Sequence, residues 1–366
     1  MSPLTIGLVF ETVETYQHRP GDPVDAQVEF EPNSTIEALE AAIGGLGHRP
    51  KRLGSPVALL KALGQVRSAS TPSAEETTLR SGECLRDSLA VDAVLNLAEG
   101  WGSRNREAWA PVLLEMAELP TLGSDALTLS LSLDKAWANR WAVAAGIPVA
   151  EQMTLASRLE AESAALPAAF PLFVKPRWEG TAKGIRASSR VEDRAELMDE
   201  VERITRAYRQ PALVESFLPG AEYTVTLVGN QPVRVLPVVQ RALEIETRIG
   251  LHALEGPGAE PRSLRYEISG SLEPALEDQL ARLARRAFEV FECRDFARVD
   301  FRLDAVGQPI FLEINPLPTF ATDGSFAILA ELEGVSLSEM LSCCISAGLE
   351  RLELAPDCDL PGDPNA

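Results

Sequence analysis

Two short runs near the end of the chain restrict its folding more than any other segment. Arg298-Val-Asp-Phe-Arg-Leu303 and Ile310-Phe-Leu-Glu-Ile-Asn315 each alternate polar and apolar side chains, the period of a strand with one buried face. Asp304-Ala-Val-Gly307 between them has turn residues at both ends, which predicts an antiparallel hairpin. Val299, Phe301 and Leu303 share one face, as do Ile310, Leu312 and Ile314. Matching these faces requires paired residue numbers that sum to an odd value, because a slip of one residue mixes the faces. A four-residue loop then sets Leu303 against Gln308, Arg298 against Glu313 and Asp300 against Phe311. Asp300, Glu313 and Asn315 collect on the polar side, Asp300 diagonal to Glu313 at about 7–8 Å between backbones. Two carboxylates and an amide oxygen suit Mg2+, with water and phosphate completing the shell. By alternation alone a solvated polar face is the commoner outcome. What raises the metal reading is Asn315-Pro-Leu-Pro318, a stiff turn that would fix Asn315 at its strand end.

The 366 residues suffice for two or three lobes, since single domains usually run to roughly 100–200 residues. Strands are predicted at Ile6–Phe10 and Val91–Leu97, and helices at Thr35–Gly47 and Glu107–Leu119. Such alternation implies a parallel sheet covered by helices. Polar, turn-rich Thr12–Pro32 interrupts it, and so does Gln65–Ser81, which reads as a loop or loosely packed insertion. One helix is expected over Thr128–Ala145, then a strand at Phe170–Pro176, extended chain at Gly184–Ser188 and a helix at Val191–Tyr208. Strands follow at Ala212–Phe217, Glu222–Val228, Val233–Val239 and Leu264–Ile268. Helices at Glu273–Phe291, Phe326–Glu333 and Leu337–Leu352 flank and follow the hairpin, and an acidic tail after Ala355 is expected to be disordered.

Composition excludes several classes. Thirty-four Lys and Arg against 54 Asp and Glu leave a formal charge of −20, a field that repels nucleic-acid phosphates and acidic membrane surfaces. No apolar stretch reaches the ~20 residues of a membrane span, and the first strand begins too near Met1 for an export signal. Cys84, Cys293, Cys343, Cys344 and Cys358 are odd in number and have no CxxC spacing, which points to a reducing cytoplasm. His18, His48 and His252 are too scattered for a histidine-built zinc site, so oxygen ligands would hold any metal.

Two further segments carry chemistry. Val174-Lys175-Pro-Arg-Trp-Glu179-Gly180-Thr-Ala-Lys183-Gly184 delivers Lys175 from a strand into a loop whose glycines free backbone N–H groups for an anion. A plain hairpin would select the same glycines, and the segment is not a P-loop. Val214-Glu215-Ser-Phe217-Leu-Pro-Gly220, leading into Glu222-Tyr-Thr-Val225, ends one strand and begins another. A purine could lie against Phe217, with a carboxylate on the ribose hydroxyls, or Phe217 could be a core residue.

Taken in order, FVKPRWEGTAKGI, VESFLPGAEYTV, ARVDFRLD and FLEINPLP resemble the ATP-grasp superfamily, most closely the D-alanine–D-alanine ligases and related carboxylate–amine ligases. Leu122-Gly-Ser-Asp125, Leu131-Ser-Leu-Asp134-Lys135 and Asn96-Leu-Ala-Glu-Gly100 agree with it, so it spans roughly Val91 to Leu352. The resemblance implies an α/β fold, α+β in its C-terminal part. Residues 1–124 would form a Rossmann-like domain, 125–212 a central small lobe, 213–355 a C-terminal large lobe and 356–366 the tail, with ATP between the lobes. It also implies roles. Lys135 and Lys175 would contact ATP phosphates, and Glu179 to Ile185 would close over them, with Gly180, Thr181, Ala182 and Lys183 in that loop. Glu215, Phe217 and Leu218 would line the adenine pocket, and Glu222 would hold the ribose. Asp300, Glu313 and Asn315 would bind two Mg2+ ions. Arg298 would stabilise the tetrahedral oxyanion, Thr181 would act at the loop tip, and Arg248 would assist phosphoryl transfer.

The substrate half departs from the family pattern. Val9-Phe-Glu-Thr-Val13 lacks the glycines expected after the first strand. Ala98-Glu99-Gly100 replaces a His-Gly pair, Thr181-Ala182 replaces two serines, and Thr319 replaces a glycine. The expected function is therefore an ATP- and Mg2+-dependent ligase joining amino acids or small peptides through an acyl phosphate, with D-alanine one candidate among several. A nucleotide-binding regulatory protein without ligase turnover is the alternative, and a kinase stopping at the acyl phosphate is a third reading. Partners would be small molecules, not nucleic acid or membrane, with a homodimer left open. Trp101, Arg104 and Arg106 could meet a substrate carboxylate or lie on a surface loop.

Overall fold

The computed structural model describes residues 2–69, 89–255, 265–268 and 270–354. The chain opens with β1 (Thr5–Val9), α1 (Asn33–Gly45), β2 (Arg49–Gly54), α2 (Pro56–Ala69), β3 (Ala93–Asn96), α3 (Trp109–Met116) and β4 (Thr121–Leu122). The strands form a parallel sheet in the order β2-β1-β3-β4. β1 and β3 are buried almost throughout, which is why they read as unbroken apolar runs. β2 is an edge strand of sequence RPKRLG. Lysine, arginine and proline suit an edge but give no alternation, so sequence pattern predicts no strand there. Most of Gln65–Ser81, and the tail after Ala355, lie outside the described residues.

The helix expected over Thr128–Ala145 is two helices, α4 (Ala126–Leu133) and α5 (Lys135–Ala144). Asp134 breaks it: its backbone is extended and its carboxylate accepts the Trp137 N–H at 3.2 Å, capping α5. Lys135 thereby becomes the first residue of a helix. Next come β5 (Gln152–Leu155), α6 (Arg158–Ser163), β6 (Leu172–Pro176), β7 (Arg190–Val191), α7 (Arg194–Tyr208) and β8 (Ala212–Ser216). They make an antiparallel sheet, β5-β8-β6-β7. Gly184–Ser188 is not a strand, because the Ser189 hydroxyl accepts the Arg186 N–H at 3.0 Å and turns the chain. Pairing resumes only at β7.

The third region contains β9 (Glu222–Val228), β10 (Arg234–Val235), β11 (Val239–Arg241), β12 (Leu243–Glu244), α8 (Leu251–Leu254), β13 (Tyr266–Glu267), α9 (Pro274–Val290), β14 (Phe296–Leu303), β15 (Pro309–Asn315), α10 (Ser325–Glu333) and α11 (Leu337–Arg351). Its main sheet runs β10-β9-β14-β15, with β11 also on β9. The strand predicted over Val233–Val239 is split between β10 and β11, and Pro237, which has no N–H to donate, lies in the gap.

The β14–β15 hairpin forms, in a different register. Leu303 faces Pro309 and Phe301 faces Phe311; the register then shifts, so Asp300 faces Glu313 and Arg298 faces Asn315. Leu312 is the extra residue of a bulge. It separates the apolar set: Phe311 and Ile314 enter the core, while Leu312 turns with Glu313 toward the large cavity described below. The odd-sum rule survives beyond the bulge, and Asp300 stands directly opposite Glu313 rather than diagonal to it.

One apolar core joins Ile6 and Leu8 of β1 and Ile36 of α1 to Phe296, Phe320, Leu341 and Ile345, so α11 returns to pack on α1. A second core lies between α9 and the β9-β14-β15 face, and a third between α7 and the middle sheet. Among the described residues, no helix is long and apolar enough to cross a membrane.

Candidate active site

The middle and last sheets bound a cavity of 430 Å³. Its walls include Lys135, Lys175, Glu179, Thr181, Ala182, Lys183, Glu215, Phe217, Leu218, Glu222, Arg298, Asp300 and Glu313. Gly180 and Asn315 border a smaller adjoining cavity of 30 Å³, which shares Lys135, Thr181, Arg298 and Glu313 and adds Glu99 and Glu107. Residues more than 150 positions apart thus meet at one place.

The hairpin supplies the anionic floor. Asp300 accepts from the Thr224 hydroxyl at 2.7 Å, from Arg298 Nε at 3.1 Å and from the Asn315 amide at 3.3 Å. That same amide donates to Glu313 at 3.3 Å. Burial alone would raise the Glu313 pKa, but Lys135, Lys175 and Arg298 overcome it and hold the carboxyl well below the usual range, at about 2. Lys135 pairs with Glu313 at 3.0 Å and donates to the Glu179 carbonyl at 2.5 Å. Lys175 on β6 and Glu215 on neighbouring β8 pair at 2.7 Å, on the same sheet face.

These groups test the metal reading. Among the described residues no three His, Cys, Asp or Glu side chains are grouped to hold a metal ion. Asp300 and Glu313 instead form an open carboxylate pair bridged by one amide. Turning that amide would present its oxygen, leaving positions for phosphate and water, the sparse hard-oxygen set that Mg2+ accepts. The donors present fit the ion.

At the other end, Arg190 and Arg302 lie over the Phe217 ring at 4.7 and 5.4 Å. Glu222 pairs with Arg302 at 3.4 Å and approaches His252 at 3.7 Å. Arg248 is not among the residues lining the cavity; its guanidinium binds Glu267. Arg241 does line it, reaching Thr224 at 3.1 Å and Ser325 at 2.8 Å. Arg241 and His252 go unnoticed in sequence because a three-residue strand and a one-turn helix bring them in, and Arg302, although on β14, because only the fold sets it beside Glu222 and Phe217.

The Glu179–Gly184 loop roofs the cavity. Thr181 and Ala182 both have left-handed backbones, φ 47° and 55°, a strain of about 1–3 kcal/mol each that surrounding contacts must hold. A side chain on Gly180 would meet Glu29 at 2.9 Å, and one on Gly184 would meet Pro176 at 2.5 Å. Glycine is needed there for space. Glu29 comes from Thr12–Pro32, whose later part is not a surface loop: Asp25, Glu29 and Glu31 are buried. Glu29 pairs with Arg106 at 2.6 Å and with Lys183, and Lys183 also pairs with Glu179 at 2.5 Å. Two carboxylates and two cations balance, which lets four charges be buried together. Arg106 is therefore a core residue, while Arg104 stays half-exposed near Asp134. Burial raises Glu107 to about 7 against the pull of Arg106, and burial with the like charges of Glu107 and Glu29 lifts Glu99 well above the usual range.

Two lobes enclosing a lysine-lined cavity above a carboxylate-bearing hairpin describe the ATP-grasp class. The D-alanine–D-alanine ligase of Bacillus anthracis, solved with ATP, superposes with TM-score 0.66 and 17% identity, covering 96% of this chain and 99% of that one. A D-Ala:D-Ser ligase from Enterococcus faecalis gives 0.66 and 19%, covering 95% and 100%. The family described as D-ala D-ala ligase C-terminus matches residues 142–346. An uncharacterised protein of Sinorhizobium fredii is 35% identical over 254 residues, 68% of this chain and 72% of that protein. The D-alanine–D-alanine ligase of Lactobacillus helveticus is 26% identical over 251 residues, 66% and 68% of the two chains. The chain belongs to the D-alanine–D-alanine ligase family, an ATP-binding, ATP-grasp ligase family.

Proposed function

We propose that this protein uses ATP to join the carboxylate of one amino acid or small peptide to the amine of another. The observation that carries the reading is the convergence of Lys135, Lys175, Arg298, Asp300 and Glu313 on one cavity. A carboxylate is a poor acyl donor because oxide is not a viable leaving group. Its oxygen attacks the γ-phosphorus of ATP, ADP departs, and an acyl phosphate remains. The amine then attacks the acyl carbon and loses a proton, and phosphate leaves.

Each step asks the protein for position and charge rather than covalent chemistry. Lys135 and Lys175 hold phosphate oxygens, Phe217 and Leu218 the base, and Glu222 the ribose. Asp300, Glu313 and Asn315 would hold Mg2+, which supplies charge neutralisation at the phosphates. Arg298, shared by both cavities, faces the oxyanion formed as the amine attacks. The smaller cavity, with Glu99 and Glu107 in its wall, suits an ammonium group. Thr181 and Ala182 exclude water that would otherwise hydrolyse the acyl phosphate. Cys293 and Cys344 are buried thiols, which accords with a reducing cytoplasm as the place of action.

Phosphate release measured across a panel of amino-acid and dipeptide pairs, with mass detection of the amide, tests the reading. Amine-dependent phosphate release with an amide product supports it. ATP binding without turnover across the panel would favour the regulatory alternative. Hydroxylamine trapping without an amide would favour a kinase.

A further inference from the structure

Cross-strand neighbours share a face, so the register sets out the cavity floor in rows. Arg302 stands beside Glu222, next to the Phe217 ring, and in the next row Asp300 stands between Thr224 and Glu313. Lys135, Lys175, Lys183, Arg298 and Arg302, all lining the large cavity, each pair with a carboxylate at 3.4 Å or less. Arg241 is the exception. It lines the same cavity, yet among the described residues it pairs with no carboxylate. Its register partner on β9 is Glu222, but its side chain reaches past it into the next row. There its Nε donates to the Thr224 hydroxyl at 3.1 Å, and that hydroxyl donates to Asp300 at 2.7 Å. The far end of the guanidinium donates to the Ser325 hydroxyl at 2.8 Å. Ser325 opens α10, and the turn before that helix carries Thr319, which borders both cavities. Burial, and then the like charge of Arg298, push the Arg241 pKa down, so the surrounding carboxylates do not fully offset the cost of its charge.

We infer that Arg241 is a further catalytic residue, the cation that receives the terminal phosphoryl group of the nucleotide. A guanidinium held only by hydroxyls gives up neutral hydrogen bonds when it turns to an anion, whereas each paired cation must first part from a carboxylate. The row that Arg241 reaches holds Asp300 and Glu313, and its Ser325 end lies beside the turn that leads to the smaller cavity. A phosphoryl group passing from nucleotide to substrate crosses that line. In the transfer a substrate carboxylate oxygen bonds to the γ-phosphorus, the bond to the ADP oxygen breaks, and its electron pair leaves with ADP. Negative charge is spread over the three equatorial oxygens at that point, and Arg241 donates to one of them. Recognition of the terminal phosphoryl group is a matter of binding alone, whereas its effect on kcat rests on the ligase reading above.

The test uses the full chain with Arg241→Met, which keeps an apolar stem and removes the charge, and Arg241→Gln, which keeps hydrogen bonding without charge. Calorimetry titrates each protein with ADP and with adenylyl imidodiphosphate, a non-hydrolysable ATP analogue that carries the third phosphate, both in the presence of Mg2+. ADP should bind both variants within about threefold of the parent, and the analogue about tenfold or more weakly, as loss of a charge-assisted hydrogen bond entails. In turnover, amide-forming kcat should fall about tenfold or more. Because no carboxylate is left unpaired by the change, denaturant unfolding should find ligand-free Arg241→Met close to the parent in stability.

Equal weakening of ADP and the analogue overturns the assignment, since Arg241 would then serve the inner phosphates or the ribose. Parent-like binding of the analogue by a folded Arg241→Met protein overturns it as well. Should Arg241→Met fail to fold, Arg241→Gln decides by the same comparison. If the analogue alone is weakened but the parent turns over no amine, the assignment of Arg241 stands and the ligase reading falls. If the parent joins amines and Arg241→Met does so with parent-like kcat, the assignment falls and the ligase reading stands.

Discussion

On the proposed reading, replacing Arg298 by alanine should separate catalysis from nucleotide binding. The guanidinium is bidentate to Asp300 at 3.1 and 3.0 Å, and its side chain retains 16% exposure. It borders both cavities, so a reaction between a phosphate and an amine would pass in front of it. Loss of one oxyanion donor raises the barrier by about 2.7–4 kcal/mol, a fall of roughly 10²–10³ in kcat. The end of the cavity proposed for the base carries Glu215, Phe217 and Leu218, on β8 and just after it, whereas Arg298 is bonded to Asp300. ATP affinity should therefore stay within about threefold. Asp300 loses its cation but keeps the Thr224 hydroxyl and the Asn315 amide. Some stability goes with it, less than the ~3–5 kcal/mol of breaking a fully buried pair, because this pair is partly wetted. Steady-state phosphate release gives kcat and KM, calorimetry gives the ATP dissociation constant, and denaturant unfolding measures the stability loss. A kcat within tenfold of the parent, or an ATP affinity that falls as far as kcat, would refute the assignment.

Lys175→Ala should show the reverse pattern, with ATP binding weakened about tenfold or more by titration calorimetry, since it removes the cavity cation paired with Glu215. Arg248→Ala should change kcat by less than about threefold, whereas Arg241→Ala should lower it at least tenfold, because only Arg241 lines the cavity. Asp134→Ala deletes the α5 cap and the buried acceptor of Arg177 at 2.6 Å, so denaturant unfolding should register a loss of about 3 kcal/mol or more. The pH dependence of stability should be bell-shaped in the ligand-free protein. Glu29 and Glu313 are depressed to about 2 by their cations against burial. Their contribution is present above the ordinary carboxylate pKa of 4.5 and is lost as pH falls toward 2. Glu107, raised to about 7 by burial, has the opposite sign: it favours folding below 4.5 and opposes it as pH rises through 7. Unfolding measured from pH 3 to 8 should show a maximum near pH 5, and Glu107→Gln should flatten the upper limb; an unchanged upper limb would count against it.

Alternation and helical spacing are local, and the elements they govern are legible. β9 and α10 lie at or within a residue or so of their predicted ends, and the β14–β15 hairpin forms where Asp304 and Gly307 punctuate it. Misreadings fall where local pattern is silent. Polar β2 is a strand because β1 offers it an edge. Asp134 interrupts an apolar run that would otherwise continue as one helix, because capping and the Arg177 pair outweigh helix propensity there. The Leu312 bulge cannot be inferred from alternation, since Ile310, Leu312 and Ile314 keep period two although the backbone does not.

From the chain alone come the class of fold, the strands that carry Lys175, Asp300 and Glu313, and the turn that begins at Asn315. Side-chain period and turn chemistry act over a few residues, and those features need no more. Tertiary structure decided which arginines line the cavity, that Asp300 stands opposite Glu313, and that a polar stretch near the N-terminus packs its carboxylates against the Gly180–Gly184 loop. Glu29 and Lys183 lie 154 positions apart, and no local rule links them. Only the packed chain excludes the water that would otherwise separate their charges.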